Sequence, residues 1–422
     1  MKSGRRFRVD LTEAQARLAQ QTADVCRAVW NTGLEQRREY RRRGAWMNYN
    51  EQAHELAQAK EEQTWLKVAP SHCLQQTLRD LDAACRRRGT WKVRWRSARR
   101  WAPSFRFPDG SQMELQKLNR RKTQVKLPKL GWVKFRASRS LDGETIRSAT
   151  LSKEGERWFV SFLVEDGKTS PVGHAAPDAA MGVDRGVVVA AATCAGELID
   201  RELVTEGERR RALALQRRLS RAAKGSANRT ETRVALAEVR ARERRRRQDF
   251  CQKTARRLAD ANALVVLEKL PAKNMTRRAK PTLDPDNPGR YLPNGAAAKS
   301  GLNKAILSKG WYRFERALNS VSRCTGTVVV KVPAAFTSQR CSVCGRVDPK
   351  SRESQAVFRC THCAYSGHAD VNAAKNILAA GLAVTACRES AAPAGATETQ
   401  KQEPAGNREE LLLQNRHSAT AA

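Results

Sequence analysis

No apolar run in this sequence is long enough to cross a bilayer. The longest, GVVVAAAT at 186–193, falls far short of the roughly 20 residues that a spanning helix needs. The opening MKSGRRFRVD is basic but has no apolar stretch behind it, so no secretory signal is expected. A disulfide framework is lacking too: of 11 cysteines, four sit in two close pairs and the rest are scattered, which suits a reducing compartment. Acidic residues are the scarcest relative to need, with 43 Asp and Glu against 79 Lys and Arg, a formal net charge of +36. The excess recurs in RREYRRRG (37–44), CRRRGTWKVRWRSARR (85–100) and RERRRRQ (242–248). Such a charge would cost a merely soluble protein stability, so a polyanionic partner, nucleic acid above all, is expected.

The 422 residues have room for roughly two to four domains and a substantial core. After a short strand at RFRV (6–9), Thr12 and Gln15 form a capping-box pattern that opens a helix. Leu74, Leu78, Leu81 and Cys85 keep helical spacing, so residues 10–88 read as helical, apolar on one side and Arg-rich on the other. From about 100 to 172 alternation takes over, as in RWFVSFLVED, TQVKLP and GWVKFRAS, and a β module with a barrel-like closure is expected. The loop-like GKTSPVGHAAPDA (167–179) marks a boundary. Beyond it, MGVDRGVVVAAATCAGELI (181–199) reads as two strands hairpinned near a glycine. Arg-rich helices (206–262), the strand ALVVLEKL (263–270), a polar loop (271–300), a helix near 301–323 and the strand GTVVVKVP (326–333) complete a mixed α/β region. Residues 386–422, rich in Ala, Glu, Gln and Pro, are expected to be disordered.

Cys341-x2-Cys344 and Cys360-x2-Cys363 have the spacing of a four-thiolate zinc site. Four cysteines fill a tetrahedron and leave no open position, so the zinc is expected to be structural. His368 stands nearby, either as a packing residue or as a support for the ligands.

Three carboxylates invite a different chemistry. Asp184 lies in an apolar strand, Glu268 ends another, and Asp370 opens a helix whose Val371, Ala374, Ile377 and Leu378 line one side. A buried carboxylate needs compensation, and converging acids can hold two Mg²⁺ ions for phosphodiester displacement. Each acid has a plainer reading as well, exposure for Glu268 and helix capping for Asp370.

The same residues carry a family likeness. GVDRGVVVAAAT, LVVLEKL, KSGLNKAILSKGWYRF and TSQRCSVCGRVDPKSRESQAVFRCTHCAYSGHADVNAAKNIL resemble TnpB, the transposon-encoded RNA-guided nuclease, and the compact type V CRISPR effectors derived from it. AVWN (28–31), CLQQTLRDLDAA (73–84) and KLPKLGWVKF (126–135) extend the likeness more loosely. It implies a multidomain α+β protein: a wedge-like β-barrel (1–9 and 101–172), a helical recognition domain (10–100), an RNase H-like RuvC domain (173–336 and 367–385) and an inserted zinc ribbon (337–366). It also implies that Asp184, Glu268 and Asp370 bind two catalytic Mg²⁺, with Asp184 bridging, and that one Zn²⁺ is held by Cys341, Cys344, Cys360 and Cys363. A guide RNA would pair with double-stranded DNA bearing a short flanking motif, in a prokaryotic cytoplasm at the nucleoid. Two features depart from the family: Ala364 replaces the glycine that commonly follows the last cysteine, and the loop 276–298 is long.

For nucleic-acid contact the expected residues are Arg86, Arg87, Arg88, Trp91, Lys92, Arg94, Trp95, Arg99 and Arg100, where aromatics would stack bases and cations hold phosphates. Trp101, Phe105 and Phe107 continue the stretch, and alternation alone could turn these aromatics into a core instead. Two other functions compete with cleavage: a guided DNA-binding repressor, which the intact acids argue against, and a zinc-ribbon RNA-binding or transposase-accessory protein without a guide.

Overall fold

The computed structural model describes residues 1–98, 100–167, 169–287 and 289–390, with side chains described to 387. Arg99 and, from 391 onward, the segment expected to be disordered lie outside the described residues.

The chain begins with β1 (Lys2–Asp10), where Phe7 and Val9 turn inward between exposed arginines. Thr12 caps α1 (Glu13–Arg42) as expected: its hydroxyl accepts from the Gln15 amide at 3.2 Å, and the Gln15 side chain accepts from the Thr12 amide at 3.1 Å. α2 (Tyr49–Glu62) and α3 (Ser71–Arg88) follow, the latter burying Leu74, Leu78, Leu81 and Cys85. Six strands come next: β2 (Ser104–Phe107), β3 (Glu114–Lys117), β4 (Lys122–Leu127), β5 (Gly131–Arg136), β6 (Thr145–Glu154) and β7 (Arg157–Glu165).

These strands do not close into the expected barrel. They form one open seven-stranded sheet in the order β2-β6-β7-β1-β5-β4-β3, with four-residue strands at both edges. Closure would serve to bury the apolar face and remove the edges. Here helices cover that face: Leu34 of α1 and Leu74 and Leu78 of α3 share one core with Phe7, Phe135 and Phe162. Those three rings meet at centroid distances of 5.1–6.0 Å. The Gln15 side chain adds hydrogen bonds of 3.0 and 2.9 Å to the Leu130 and Trp132 carbonyls.

Beyond residue 178 come β8 (Ala180–Asp184), β9 (Ala191–Thr193), β10 (Leu198–Ile199), α4 (Glu206–Arg221), α5 (Ala227–Ala261) and β11 (Leu264–Glu268). α6 (Ala272–Met275), α7 (Ala296–Lys309), α8 (Trp311–Thr325), β12 (Val328–Val332), β13 (Val357–Arg359), β14 (Ser366–His368) and α9 (Ala369–Ser390) complete it. The hairpin expected at 181–199 is instead three short strands, because β8 stops at Asp184 and a tight turn follows. A Cβ at Gly186 would lie 2.7 Å from the Val189 carbonyl. The helix expected near 301–323 is two helices, divided at Gly310, whose φ of 73° no bulky residue adopts cheaply.

The chain divides into two compact units, one of residues 1–178, 200–263 and 272–328, the other of 179–199, 264–271 and 329 onward. In the first, part of the arginine excess is spent internally, as in Arg157–Glu238 (2.8 Å) and Arg244–Glu154 (2.7 Å) between α5 and the β6/β7 pair. The second is built on a five-stranded sheet in the order β10-β9-β8-β11-β12, with β8 antiparallel to β9 and parallel to β11. α9 lies so close on this sheet that a Cβ at Gly182 would fall 2.1 Å from the Ala374 carbonyl, and one at Gly381 2.3 Å from Val266. Two glycines thus set the depth at which α9 is seated.

Candidate active site and thiol centre

In the second unit, parallel pairing matches Leu267 of β11 with Val183 of β8. The next residue on each strand, Glu268 and Asp184, therefore reaches the same end of the sheet. Asp370, in the first turn of α9, lies against the following turn, 3.6 Å from where a Gly186 Cβ would stand. All three residues are buried. Burial, and then the charges of Glu268 and Asp370, push the Asp184 carboxyl up to about 7. Glu268 is raised mainly by burial, against the opposing Thr337 hydroxyl and the Arg185 and Arg352 guanidiniums. Three buried carboxylates at one end of the sheet offer the hard oxygen donors that Mg²⁺ prefers.

Four further residues brace this pocket, and the sequence reading missed them all. Arg352 donates to Asp370 Oδ1 at 3.1 Å. Thr337 donates its hydroxyl to Glu268 Oε1. Asn376 donates to the carbonyls of Thr337 (2.9 Å) and Arg340 (2.7 Å), while Asn372 donates to Arg340 (2.8 Å) and accepts from the Ser342 amide (2.9 Å). The asparagines were findable: amides four residues apart on a helical face with Ala373 and Ile377 need partners if buried. Arg352 has no local signal. His368, on β14, accepts the Asp370 amide at Nδ1 (3.2 Å).

The four cysteines converge as their spacing implies. Their sulfurs all lie within 4.8 Å of one another, and among the described residues this is the one such cluster of three or more His, Cys, Asp or Glu. Cys341 and Cys363 sulfurs are 3.6 Å apart, Cys344 and Cys360 3.7 Å. A tetrahedron with zinc–sulfur bonds of about 2.3 Å has edges near 3.8 Å. The Cys363 and His362 amides donate to the Cys360 sulfur and lower its thiol, favouring the thiolate a metal needs. Ala364 holds φ 58°, so the position where the family commonly has glycine is left-handed here too. Ala364→Gly is expected to raise stability by about 1 kcal/mol, read as a higher melting temperature and slower loss of bound metal to a chelator.

The basic stretch 86–108 splits in two. Phe105 and Phe107 are buried in the core of the first unit, and Trp101 packs against it. Trp91 and Trp95 are exposed at 57 % and 43 %. Arg38 of α1 lies 5.8 and 4.8 Å from their ring centroids, and Arg41 lies 4.0 Å from that of exposed Trp46. Arg86, Arg87, Arg88, Lys92, Arg94 and Arg100 are exposed, and Arg86 also pairs with Asp82 at 2.8 Å.

Known proteins match this arrangement. A family model described as "Probable transposase" covers residues 161–279, and one described as "Cas12f1-like, TNB domain" covers 311–377. A third, "Helix-turn-helix domain", covers 1–45, although that stretch is one strand and one long helix. A protein of Escherichia coli strain K12 named "Putative RNA-guided DNA endonuclease InsQ" is 35% identical over 374 residues, 87% of this chain and 89% of its own length. The chain belongs to the TnpB family of transposon-encoded RNA-guided nucleases. A second relative, "Putative RNA-guided DNA endonuclease" of Streptomyces pristinaespiralis, is 30% identical over 92% of this chain and 91% of its own. The fold is shared with a Cas12f1 captured in a complex with guide RNA and target DNA, at a TM-score of 0.54 and 14% identity over 87% of this chain and 82% of that one. The transposase match of this TnpB-family chain spans Asp184 and Glu268, and the TNB match spans the four cysteines, Arg352 and Asp370. Among its described residues no helix is long and apolar enough to cross a membrane.

Proposed function

We propose that this chain is an RNA-guided DNA endonuclease that cuts double-stranded DNA beside a short flanking motif, by RuvC-type phosphodiester hydrolysis. The observation that carries the reading is the buried Asp184, Glu268 and Asp370 group, with Asp184 pushed up to about 7 by burial and by its two acidic neighbours. These carboxylates would hold two Mg²⁺ ions. Bound there, the ions supply a nucleophile from water at neutral pH and neutralise charge on the phosphate and the leaving 3′ oxygen.

The chain's own residues prepare that site. Thr337 orients Glu268, and Arg352 steadies Asp370. Asn372 and Asn376 tie α9 to the loop that supplies Thr337. Four thiolates on one Zn²⁺ would brace the segment that carries Arg352. Guide RNA and target DNA would neutralise the +36 charge, with the exposed tryptophans and arginines of 10–100 among their contacts. The relatives' names and the Cas12f1 complex support these partners, and a prokaryotic cytoplasm, at the nucleoid, is where they would meet.

The test begins with the protein purified from cells carrying its native locus and sequencing of the RNA it retains. With that RNA, a target plasmid with randomised flanks should be cut in Mg²⁺ and left intact in EDTA. Absence of a defined RNA removes the guided reading. A defined RNA with tight target binding but no cutting makes the protein a guided binder.

A further inference from the structure

Phe336 stands in the loop between β12 and the first cysteine pair, in a conformation that phenylalanine rarely takes. Its φ is 63°, and its side chain is 60 % exposed. Left-handed backbone is costly for a bulky residue, and exposure forgoes the burial that would offset the cost. Among the described residues its ring has no aromatic or cationic partner. Folding alone gives no reason for an aromatic here.

The loop is nonetheless held hard. The Phe336 carbonyl accepts from the Gln339 and Arg340 amides at 3.0 and 2.9 Å. The next residue, Thr337, is buried, its hydroxyl bonded to Glu268 with the Ala334 carbonyl also 3.0 Å away, and Asn376 holds the Thr337 carbonyl. Through one peptide and one hydrogen bond, the Phe336 Cα lies no more than about 9 Å from a Glu268 oxygen. Strained residues that their surroundings over-determine belong to functional sites more often than to scaffolds.

We propose that Phe336 is a positioning residue for the strand being cut, presenting its ring as a stacking platform for one unpaired nucleobase close to the phosphate at the acids. Every base offers a π-face, so the platform is indifferent to sequence, as a nuclease that takes its specificity from a guide requires. The inference rests on the nuclease reading above.

The test uses the protein with its co-purified RNA and a matched target duplex in Mg²⁺. Phe336→Ala and Phe336→Gly should each slow cleavage by about 5- to 150-fold, the range of one lost base–aromatic stack. Phe336→Trp should keep most of the rate. Glycine fits φ 63° better than any other residue, so Phe336→Gly should melt no lower than the parent protein, which separates stacking from scaffolding. An abasic nucleotide scanned along the cut strand should reproduce the loss at one position, and there add little to Phe336→Gly. Alanine and glycine variants that cut at the parental rate, or losses that simply multiply at every abasic position, overturn the platform and leave the nuclease reading intact. A parental protein that binds its target but does not cut it overturns both.

Discussion

Asp184→Asn is expected to cut a matched target at least about a thousandfold more slowly than the parent while still binding guide and DNA, measured by single-turnover cleavage beside a binding assay. The same substitution should make the metal-free protein more stable. The reason is the raised Asp184 carboxyl, about 7 in the folded chain against an ordinary 3.8. Between those values the folded state holds a proton that the unfolded state has released. Stability therefore falls as pH rises from about 4 to 7, by up to about 4 kcal/mol, and stays lowered above that. Asparagine carries no such penalty. In EDTA the parent's melting temperature should drop across this pH window and the variant's should drop less. Mg²⁺ should narrow the difference at pH 8 by favouring the ionised carboxylate. A variant that cuts at the parental rate would remove Asp184 from the site.

Cys360→Ala has the second largest expected effect, because it reaches the acids through the thiol centre. Structural zinc contributes on the order of 10 kcal/mol to the segment it ties together. That segment carries Arg352, which holds Asp370, and its first cysteine turn is held by Asn372. Loss of one thiolate should release bound zinc and expose 341–368 to hydrogen exchange. Cleavage should fall by about a hundredfold or more, although no acid has been altered. Retained zinc with full activity would show that the active site does not depend on this brace.

The cysteine pairs were legible because a metal site needs four soft donors at close sequence spacing, and spacing is written in the chain. The capping box at Thr12, the alternation of β4, β5 and β7 and the helical period of α3 were legible for the same reason, since each is a local pattern. Sheet closure was not. Alternation makes an apolar face without saying whether strands or helices cover it, and α1 and α3 took the place of barrel closure. The acids were nameable from buried-strand context and family likeness. Their mutual influence depends on the parallel pairing of β8 with β11, two strands about 80 residues apart in sequence, and on the glycines that seat α9. By itself the sequence determined the polyanion-seeking charge, the thiol centre and the candidate carboxylates. Tertiary structure alone decided the open sheet, the Arg352 and Thr337 braces and the strained Phe336, because each depends on contacts between residues that no local pattern links.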